Sequence, residues 1–465
     1  MLTKRIEISK LVGMRYDVSF YQERFDYSSN IYPTYELGDI LYINPPVTFS
    51  NLTDNDIISY IPMEAIDERY GVISLTKNIT VANTKGYTKF KEGDLLWAKI
   101  TPCMQNGKSA IAQNLLNGVG CGSTEFFVLR PKHNNILIKY IHFILRDNRV
   151  LKSAQNSFGG SAGQQRVSSS YLKTIKIPLP PIEIQQKIVD IYTDAQNAGL
   201  QKYKEAKKLL DSIDNVVNRY LGIKIPEKND FSKAKGLTPI SQLIGERFDP
   251  YFHDPYFEKA FAELSKSKHP LKKLRDISVL ITSGITPKAG GDAYTDALSG
   301  IAFIRSGDIN INGNINFDEL LYIKPEVHNK QMKSSKVLNN DIMIAIVGAT
   351  IGQIGIYHSD KEANINQAIA LVRLKSGYDH EYVKELLKSS IGQLNLDRLK
   401  RPVARANINL EEIASILIPI PEKIEIQATI ANEIRDIRVK AEAIKNEGDL
   451  ILENVRKKIE KMILG

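Results

Sequence analysis

Two stretches of the chain carry apolar residues at alternating steps of three and four. In Glu183–Leu221 they fall at 184, 188, 191, 195 and 198, are interrupted at Lys202, and resume at 206, 209, 213, 216 and 220. In Glu425–Leu464 they fall at 426, 430, 434, 437, 441, 444, 451, 455, 459 and 462. This rhythm predicts two long helices with a coiled-coil seam. Proline before each stretch, at 180, 181 and 421, stops the preceding strand and allows the helix to begin.

The remaining residues, roughly 1–180 and 236–420, contain short β-rich runs broken by Gly, Asn and Pro. Helical stretches lie among them at Ile136–Ser153 and His380–Lys400. The fold class is therefore predicted to be mixed α/β. The clearest predicted strands are Asp94–Ile100, Phe126–Leu129, Asp341–Val347 and Ala368–Leu374.

Four segments of the first half recur in the second half in the same order, 232 to 247 residues later. Any one match could arise by chance, but four in one order indicate two copies of one unit. The matched pairs are Arg15–Tyr21 with Arg247–His253, Gly93–Ala98 with Asn340–Ala345, Ile175–Pro180 with Ile416–Pro421, and Ile182–Gln185 with Ile424–Gln427.

The repeat gives a domain plan: a globular domain at 1–181, a helix at 182–222, a linker and second globular domain at 223–421, and a second helix at 422–465. A helix of this length spans roughly 60 Å, too long to bury itself on one small domain. Its natural partner is the equivalent helix of the other copy. Antiparallel pairing would make a pseudo-twofold molecule in which the helices separate the two domains.

Charge suggests the partner. The chain has 62 Lys and Arg against 53 Asp and Glu, a net charge of +9, which favours a polyanion such as nucleic acid. Two similar DNA-binding domains held more than one DNA turn apart, about 34 Å, would recognise two half-sites around a fixed gap. A structural adaptor whose coiled coil merely joins two folded domains explains the helices equally well.

Other classes find no support in the sequence. Two cysteines, Cys103 and Cys121, form no disulfide framework, and the seven histidines show no metal-ligand spacing. No nucleophile–base or paired-carboxylate pattern is recognisable, so no catalytic residue is predicted. The start of the chain does not resemble a signal peptide, and no apolar run reaches transmembrane length. We therefore expect a cytoplasmic protein without a membrane partner.

Several phrases carry a family resemblance: Ile58–Met63, Gly284–Lys288, Ala302–Ile309, and the pair Ile177–Pro181 and Ile418–Pro421. In their order and duplication they resemble the specificity subunit of type I restriction–modification systems, along essentially the whole chain. The second copy departs slightly, since Glu422-Lys423 replaces the second proline.

The resemblance implies two target-recognition domains, each reading one half-site of double-stranded DNA. It also implies two copies of a partner modification subunit, an S-adenosylmethionine-dependent adenine-N6 methyltransferase, and leaves open whether restriction subunits that translocate and cut DNA join as well. This chain would direct both activities without catalysing either. It would hold no cofactor, with S-adenosylmethionine and ATP on the partner subunits.

Asn44-Pro45-Pro46-Val47 raises a different possibility, a methyltransferase in its own right. Adenine-N6 methyltransferases carry Asn-Pro-Pro followed by an aromatic residue that stacks on the flipped base. Val47 cannot stack, and no Gly-rich strand-to-helix turn for the methyl donor accompanies the motif. We interpret the segment as a surface turn; a donor-binding assay would decide between the two.

Candidate DNA contacts lie in two loops of each copy. Thr101–Lys108 and its counterpart Gly348–Gln353 follow the matched Asp-containing strands, while the Gly/Ser loop Ser157–Arg166 corresponds to the basic run Arg398–Asn407. Gln can pair with adenine, and Arg with guanine or phosphate, although such runs are often only solvated loops. The predicted DNA-binding residues are Lys99, Thr101, Gln105, Asn106, Lys108, Gln164, Gln165, Arg166, Thr350, Gln353, Arg398, Lys400, Arg401, Arg405 and Asn407.

Overall fold

The structure is a computed structural model that describes residues 27, 29–158, 165–228, 247–288, 291–310, 312–317, 320–401 and 406–465. Two compact units are present: unit 1 comprises 1–205 and 443–465, and unit 2 comprises 206–442. Each long helix therefore contributes residues to both units. The repeat motif Arg15–Tyr21 lies outside the described residues.

Unit 1 contains two four-stranded sheets, in the strand orders β6-β3-β10-β7 and β2-β11-β8-β9, and the two-stranded pairs β1-β12 and β4-β5. Only β3 and β10 pair in parallel among its described strands. The strands are β1 Thr34–Glu36, β2 Leu41–Ile43, β3 Ile57–Ile61, β4 Ile66–Asp67, β5 Val72–Ile73, β6 Lys77–Thr80, β7 Thr88–Lys91, β8 Leu95–Ala98, β9 Ser109–Ile111, β10 Val119–Gly122, β11 Phe126–Pro131 and β12 Lys176–Pro178.

Unit 2 has the corresponding sheets, a four-stranded one ordered β14-β22-β19-β20 and a five-stranded one ordered β15-β17-β16-β21-β18, with the pair β13-β23. The equivalent strands β16 and β21 are again parallel. The strands are β13 Leu271–Lys273, β14 Ser278–Ser283, β15 Tyr294–Thr295, β16 Ile301–Ile304, β17 Leu321–Ile323, β18 Lys336–Val337, β19 Ile342–Ala345, β20 Ile354–Ile356, β21 Ala363–Ile365, β22 Ile369–Leu374 and β23 Leu417–Pro419.

Five described helices of the first copy recur in the same order in the second. In chain order they are α1 Leu37–Ile40, α2 Ile138–Leu145, α3 Asn148–Asn156, α4 Ser169–Lys173, α5 Ile182–Asp211, α6 Ile213–Leu221, α7 Pro255–Leu264, α8 Leu274–Ile277, α9 Pro325–Asn329, α10 His380–Lys388, α11 Ser390–Leu399, α12 Leu410–Ser415 and α13 Ile424–Leu464. No helix among these is long and apolar enough to cross a membrane.

The strands that lead to the candidate loops are buried on both faces, which explains their continuous apolar sequences. Leu95 and Trp97 on β8 enter one hydrophobic core, whereas Leu96 enters another. On β19, Ile342 and Ile344 enter one core and Met343 a second. The predicted strands at these positions, and at β11 and β22, are confirmed.

The repeat extends to buried hydrogen bonds. The Gln185 amide oxygen accepts from the Leu137 backbone N–H at 2.9 Å, and its amide nitrogen donates to the Pro180 carbonyl at 2.8 Å. Gln427 makes the equivalent bonds to Asp379 and Pro421, at 2.9 and 2.8 Å. The matched Ile-Glu-Ile-Gln motif therefore ties the start of each long helix to its own globular domain.

The predicted long helices are confirmed, with one break at Ser212 between α5 and α6. Within unit 1, α5 and the end of α13 run antiparallel. A Cβ on Gly199 would lie 3.3 Å from the Gly448 carbonyl oxygen, and Lys202 Nζ lies 2.6 Å from Glu447 Oε2. Within unit 2, Glu433 on α13 accepts hydrogen bonds from residues of α6, Arg219 at 2.6 Å and Tyr220 at 2.9 Å.

Two predicted helices are corrected by the structure. Ile136–Ser153 is divided into α2 and α3, and His380–Lys400 into α10 and α11. In the first copy the Asp147 side chain accepts a hydrogen bond from the Arg149 N–H at 2.8 Å, which caps a new helix. In the second copy Ser389 is extended, with ψ at 172°, so the helix cannot continue through it.

Candidate DNA interface

In unit 1 the two candidate loops are brought side by side. We call Thr101–Lys108 recognition loop 1. Its first residue donates a backbone hydrogen bond to the Gln165 carbonyl at 3.0 Å, and Val167 donates to the Lys99 carbonyl at 3.0 Å. Ile100 and Arg166 form an antiparallel bridge between them. Lys99, Thr101, Gln165 and Arg166 thus share one edge, while Gln164 lies outside the described residues.

Unit 2 repeats this arrangement with different residues. We call Gly348–Gln353 recognition loop 2. Gly348 donates to the Ala406 carbonyl at 3.0 Å, Ile408 donates to the Ile346 carbonyl at 3.0 Å, and Val347 bridges Asn407. The two loops that the sequence matched separately therefore meet in both copies. Arg405 lies outside the described residues.

A buried ion pair precedes each recognition loop. Asp94, immediately before β8, accepts from Arg130 Nε and Nη2, both at 2.7 Å, and from the Lys91 N–H at 2.8 Å. Asp341, before β19, accepts from Arg373 at 2.8 and 2.7 Å. Only 1% of either Asp is exposed. The repeated Gly/Asn-Asp motif is therefore a clamp between neighbouring strands, which fixes where each loop starts.

Arg166 is paired but still accessible. Its Nε and Nη2 donate to the two Glu125 oxygens at 2.9 Å each, and 40% of its side chain is exposed. The hydrogen bond from Arg166 lowers the pKa of Glu125, and the bond to Glu125 raises the pKa of Arg166. The pair offers planar guanidinium donors at the loop edge while Glu125 offsets their charge. DNA contact by Arg166 stays a prediction.

This pair allows a test of phosphate contact. Arg166→Gln should lower the salt slope of DNA binding by about one, the value expected for one lost phosphate contact. Glu125→Gln should do the opposite, because the guanidinium charge is no longer offset. The measurement is the dissociation constant of full-length protein across a salt series.

Lys176→Gln, which removes an exposed lysine on β12, serves as the control and should leave the slope unchanged. If Arg166→Gln and Glu125→Gln both behaved like this control, the pair would be a solvated ion pair only.

The remaining side chains of recognition loop 1 are tied to the protein. Lys108 Nζ donates to the Ile66 carbonyl at 3.2 Å and to the Met63 carbonyl at 3.4 Å. Asn106 donates to the Glu68 carboxylate at 3.3 Å. The Thr101 hydroxyl donates to the Gln105 side-chain oxygen. These bonds favour a positioning role for Lys108 and fix the shape of the loop; base or phosphate contact by these residues stays a prediction.

In unit 2 the basic run has acidic partners that flank it in sequence. Arg401 donates to the Glu412 oxygens at 3.1 and 2.9 Å and to the Asn407 carbonyl at 3.1 Å. Lys400 Nζ lies 2.7 Å from Asp397 Oδ1. No acidic residue lies within the run, but folding brings acidic residues from either side of it into contact with Arg401 and Lys400. Arg401 and Lys400 remain half-buried, and their contact with DNA stays a prediction.

Arg398 is packed differently from the other cations. Its guanidinium carbon lies 4.0 Å from the centre of the Phe252 ring and 5.0 Å from that of Phe261. Its Nε also donates to the Phe252 carbonyl at 3.2 Å. These contacts join α11 to α7 and to the residues just before it, and they favour a packing role over the predicted DNA contact.

Recognition loop 2 carries two further candidates. The Thr350 hydroxyl donates to the Val347 carbonyl at 3.2 Å. The Gln353 side-chain oxygen is buried and accepts no hydrogen bond from any described residue. Buried polar atoms are normally satisfied, so Gln353 is the candidate in this loop whose bonding capacity is least used.

The Asn-Pro-Pro segment has a structural explanation. Asn44 has a φ of 53°, and its side-chain oxygen accepts from the Val128 N–H at 3.0 Å, so the carboxamide closes the turn after β2 onto β11. The segment borders a cleft of about 290 Å³ that is also lined by Lys89 and Lys99. The Asn44 side-chain oxygen thus has a hydrogen-bond partner within the protein, as expected for a residue that closes a turn. No group of three metal-ligating side chains occurs in the described part of the chain.

The family model "Type I restriction modification DNA specificity domain" matches residues 32–209 and 273–448, about three quarters of the chain. The chain belongs to this family. Both matches begin near the first strand of a copy and end within a long helix, so the family's specificity domain corresponds to the repeat described above.

Several individual specificity subunits are similar to the chain. The specificity subunit of the type I restriction enzyme EcoAI from Escherichia coli is 34% identical over 46% of this chain and 36% of its own length. The putative MjaX specificity subunit of Methanocaldococcus jannaschii is 24% identical over 80% of this chain and 77% of its own. The alignments with the Escherichia coli subunits EcoAI and EcoEI each span only 36% of those proteins. A solved structure, the HsdS subunit of Thermoanaerobacter tengcongensis, is 15% identical over 95% of this chain and 98% of that one, with a TM-score of 0.36.

Sequence reasoning about this specificity-domain chain missed the residues that support the loops. Neither Arg130 nor Arg373 stood out, although each lies on the apolar strand, β11 or β22, that pairs with the strand after its Asp partner. Nor was Glu125 identified as the partner of Arg166. A comparison of the two copies for charged residues beside the repeated strands could have found the Arg–Asp clamps.

Proposed function

We propose that the chain recognises a bipartite sequence in double-stranded DNA, one half-site per globular domain, and directs adenine-N6 methylation and restriction by partner subunits. The observation that carries this proposal is the duplicated loop pair. In each unit a loop that follows a clamped strand lies against a second loop bearing Arg or Asn, and the chain around it belongs to a DNA specificity family.

The differences between the two loop pairs fit separate half-sites. The backbone bridges are equivalent, Ile100 with Arg166 and Val347 with Asn407, whereas the loops differ in length and sequence. Two domains with the same backbone arrangement can read different bases when their loop side chains differ. The net charge of +9 supports attraction to DNA phosphate.

Partners follow from the duplication. Two equivalent copies offer two equivalent docking surfaces, which supports binding of two modification subunits; restriction subunits would join the same assembly. S-adenosylmethionine and ATP would bind the partner subunits, and this chain would catalyse neither reaction. The assembly would act in the cytoplasm, the compartment that the sequence predicts.

Dependence on the partner is the test. The purified chain alone should transfer no methyl group from S-adenosylmethionine to DNA and should cut none, and the partner methyltransferase alone should lack sequence specificity. Together they should methylate adenine in DNA, measured with a radiolabelled methyl donor. Methylation by the rigorously purified chain would support the stand-alone methyltransferase instead. Absence of DNA binding by the complete mixture would favour the coiled-coil adaptor.

A further inference from the structure

An equivalent cation stands at the same place in both domains, buried in the first and partly buried in the second. Arg146, which follows α2, is 4% exposed, and Lys388 ends α10, the equivalent helix. No carboxylate of the described residues forms an ion pair with Arg146 or Lys388 within 4.0 Å. Each cation instead donates to main-chain carbonyls of the sheet part of its domain. Because a charge withdrawn from water is costly to leave unpaired, these bonds hold the carbonyls in place.

In unit 1, Arg146 joins two segments. Its Nη2 donates to the Glu68 and Arg69 carbonyls, both at 2.8 Å, in the hairpin between β4 and β5. Its Nη1 donates at 2.7 Å to the carbonyl of Gly107, inside recognition loop 1. The same guanidinium therefore holds the loop and the hairpin to the helical part of the domain.

In unit 2 the same task is divided between two residues. Lys388 Nζ donates to the Asn312 carbonyl, in the turn between Ile309 and Ile315. Gln393 on α11 donates at 3.0 Å to the carbonyl of Gly352, inside recognition loop 2. Gly352 is the counterpart of Gly107, since each lies two residues before the strand that follows its loop.

Glycines make room for these side chains. Gly71 has a φ of +67°, and a Cβ there would lie 2.7 Å from Arg146 Nη1. Gly313, at +87°, would place a Cβ 2.9 Å from Lys388 Nζ. Gly352, at +92°, would place one 2.8 Å from the Gln393 side-chain oxygen. Both copies therefore contain the same arrangement of a cation, the carbonyls that accept its hydrogen bonds and a neighbouring glycine.

We propose that Arg146 in the first domain, and Gln393 with Lys388 in the second, are positioning residues that control discrimination at one half-site only. Arg146 and Gln393 hold the recognition loop of their own domain, and Lys388 holds the neighbouring turn that contains Asn312. This inference rests on the proposed function. The residues touch no base in this account; they act through the loops, whose side chains discriminate only when the backbone is held in place.

The test compares discrimination at the two half-sites. Full-length wild-type protein, Arg146→Met, Lys388→Met and Gln393→Met are each measured for binding to the preferred duplex and to duplexes with one base pair changed in either half-site. Arg146→Met should reduce discrimination at one half-site by about 5- to 150-fold, the range of one lost base contact. Lys388→Met and Gln393→Met should both reduce it at the other half-site.

Controls separate positioning from folding. Lys361→Met removes an exposed lysine from the same domain as Lys388 and should leave both half-sites unchanged. Gln393 carries no charge, so its variant keeps the test valid if a buried-cation variant fails to fold. Unchanged discrimination in Gln393→Met and Arg146→Met, or equal loss at both half-sites, would overturn the inference. A wild-type protein with no preference at either half-site would instead overturn the proposed function.

The two cations should also differ in their response to pH. Burial lowers the pKa of Lys388 from its ordinary 10.5 to about 8. The neighbouring Arg438 and Lys384 also lower this pKa, whereas Glu385 and Glu381 raise it. A guanidinium stays protonated at such pH, and a neutral amine is a weaker donor than an ammonium. Discrimination at the Lys388 half-site should therefore fall between about pH 7 and pH 9 while the other half-site keeps its value.

The pH dependence of stability distinguishes this loss of discrimination from a loosening of the fold. Because the pKa of Lys388 is lower in the folded state, its contribution to stability rises from about pH 8 towards 10.5, so discrimination should fall without a fall in melting temperature. Lys388→Arg should abolish the pH dependence, as Arg146 occupies the equivalent place in the other domain. A fall that persisted in Lys388→Arg would contradict this part of the inference.

Discussion

Inserting one heptad of seven residues into both long helices, after Lys202 and after Ile444, should lengthen the gap between the two half-sites by about three base pairs. A heptad adds roughly 10 Å of helix, and base pairs are spaced about 3.4 Å apart along DNA. It also rotates everything beyond it by only about 20° and keeps the apolar seam in step. The half-site sequences should not change, because the recognition loops are untouched.

Contacts seen in the structure determine where the insertions go. Lys202 pairs with Glu447, and Gly199 packs against Gly448, so lengthening one helix alone would shift one side of an antiparallel contact. Four residues in both helices form the control, since they rotate the far part by about 40° and break the heptad. The methylated sequence of each variant is the measurement. A changed half-site with an unchanged gap would show that the helices do not set the spacing.

Breaking the Asp94–Arg130 clamp should lower the free energy of unfolding of the first domain by about 3–5 kcal/mol, the usual cost of removing one partner from a buried pair. Asp94→Ala leaves Arg130 and the Lys91 N–H without their acceptor. Urea denaturation followed by the fluorescence of Trp97, the only tryptophan, reports on this domain because Trp97 lies on β8 directly after the clamp.

The second copy and a double variant provide the controls. Asp341→Ala removes the equivalent clamp from unit 2 and should leave the Trp97 transition nearly unchanged. Asp94→Leu with Arg130→Met should recover part of the loss, because a well-packed apolar pair often replaces a buried ion pair. A loss below about 1 kcal/mol in Asp94→Ala would mean that the pair behaves like a surface salt bridge.

The sequence predicted the parts of the fold that local pattern controls. The three-four apolar rhythm located both long helices, since one face of each is buried along most of its length. The repeated motifs aligned the two copies, because Gln185 and Gln427 make the same buried hydrogen bonds. The split of α2 from α3 was missed, since it depends on Asp147 acting as a cap rather than as a mid-helix residue.

The candidate interface was predictable only as separate loops. Periodicity shows nothing of contacts between residues far apart in the chain, such as those of Gly107 with Arg146 or Lys99 with Val167. For the same reason a run of basic residues looked unpaired until the fold brought Glu412 to Arg401. Loop geometry determines which side chains face DNA. The predicted contacts therefore included both residues that the structure leaves accessible and residues whose side chains are held by other parts of the protein.

The most direct test of the account is to map methylated adenines across the genome of cells that produce this chain with its partner methyltransferase. The account predicts one bipartite motif, with two short specific blocks separated by a non-specific gap of constant length, and loss of that motif when the chain is deleted. A single uninterrupted motif, or methylation that does not depend on this chain, would contradict recognition of two half-sites by two domains.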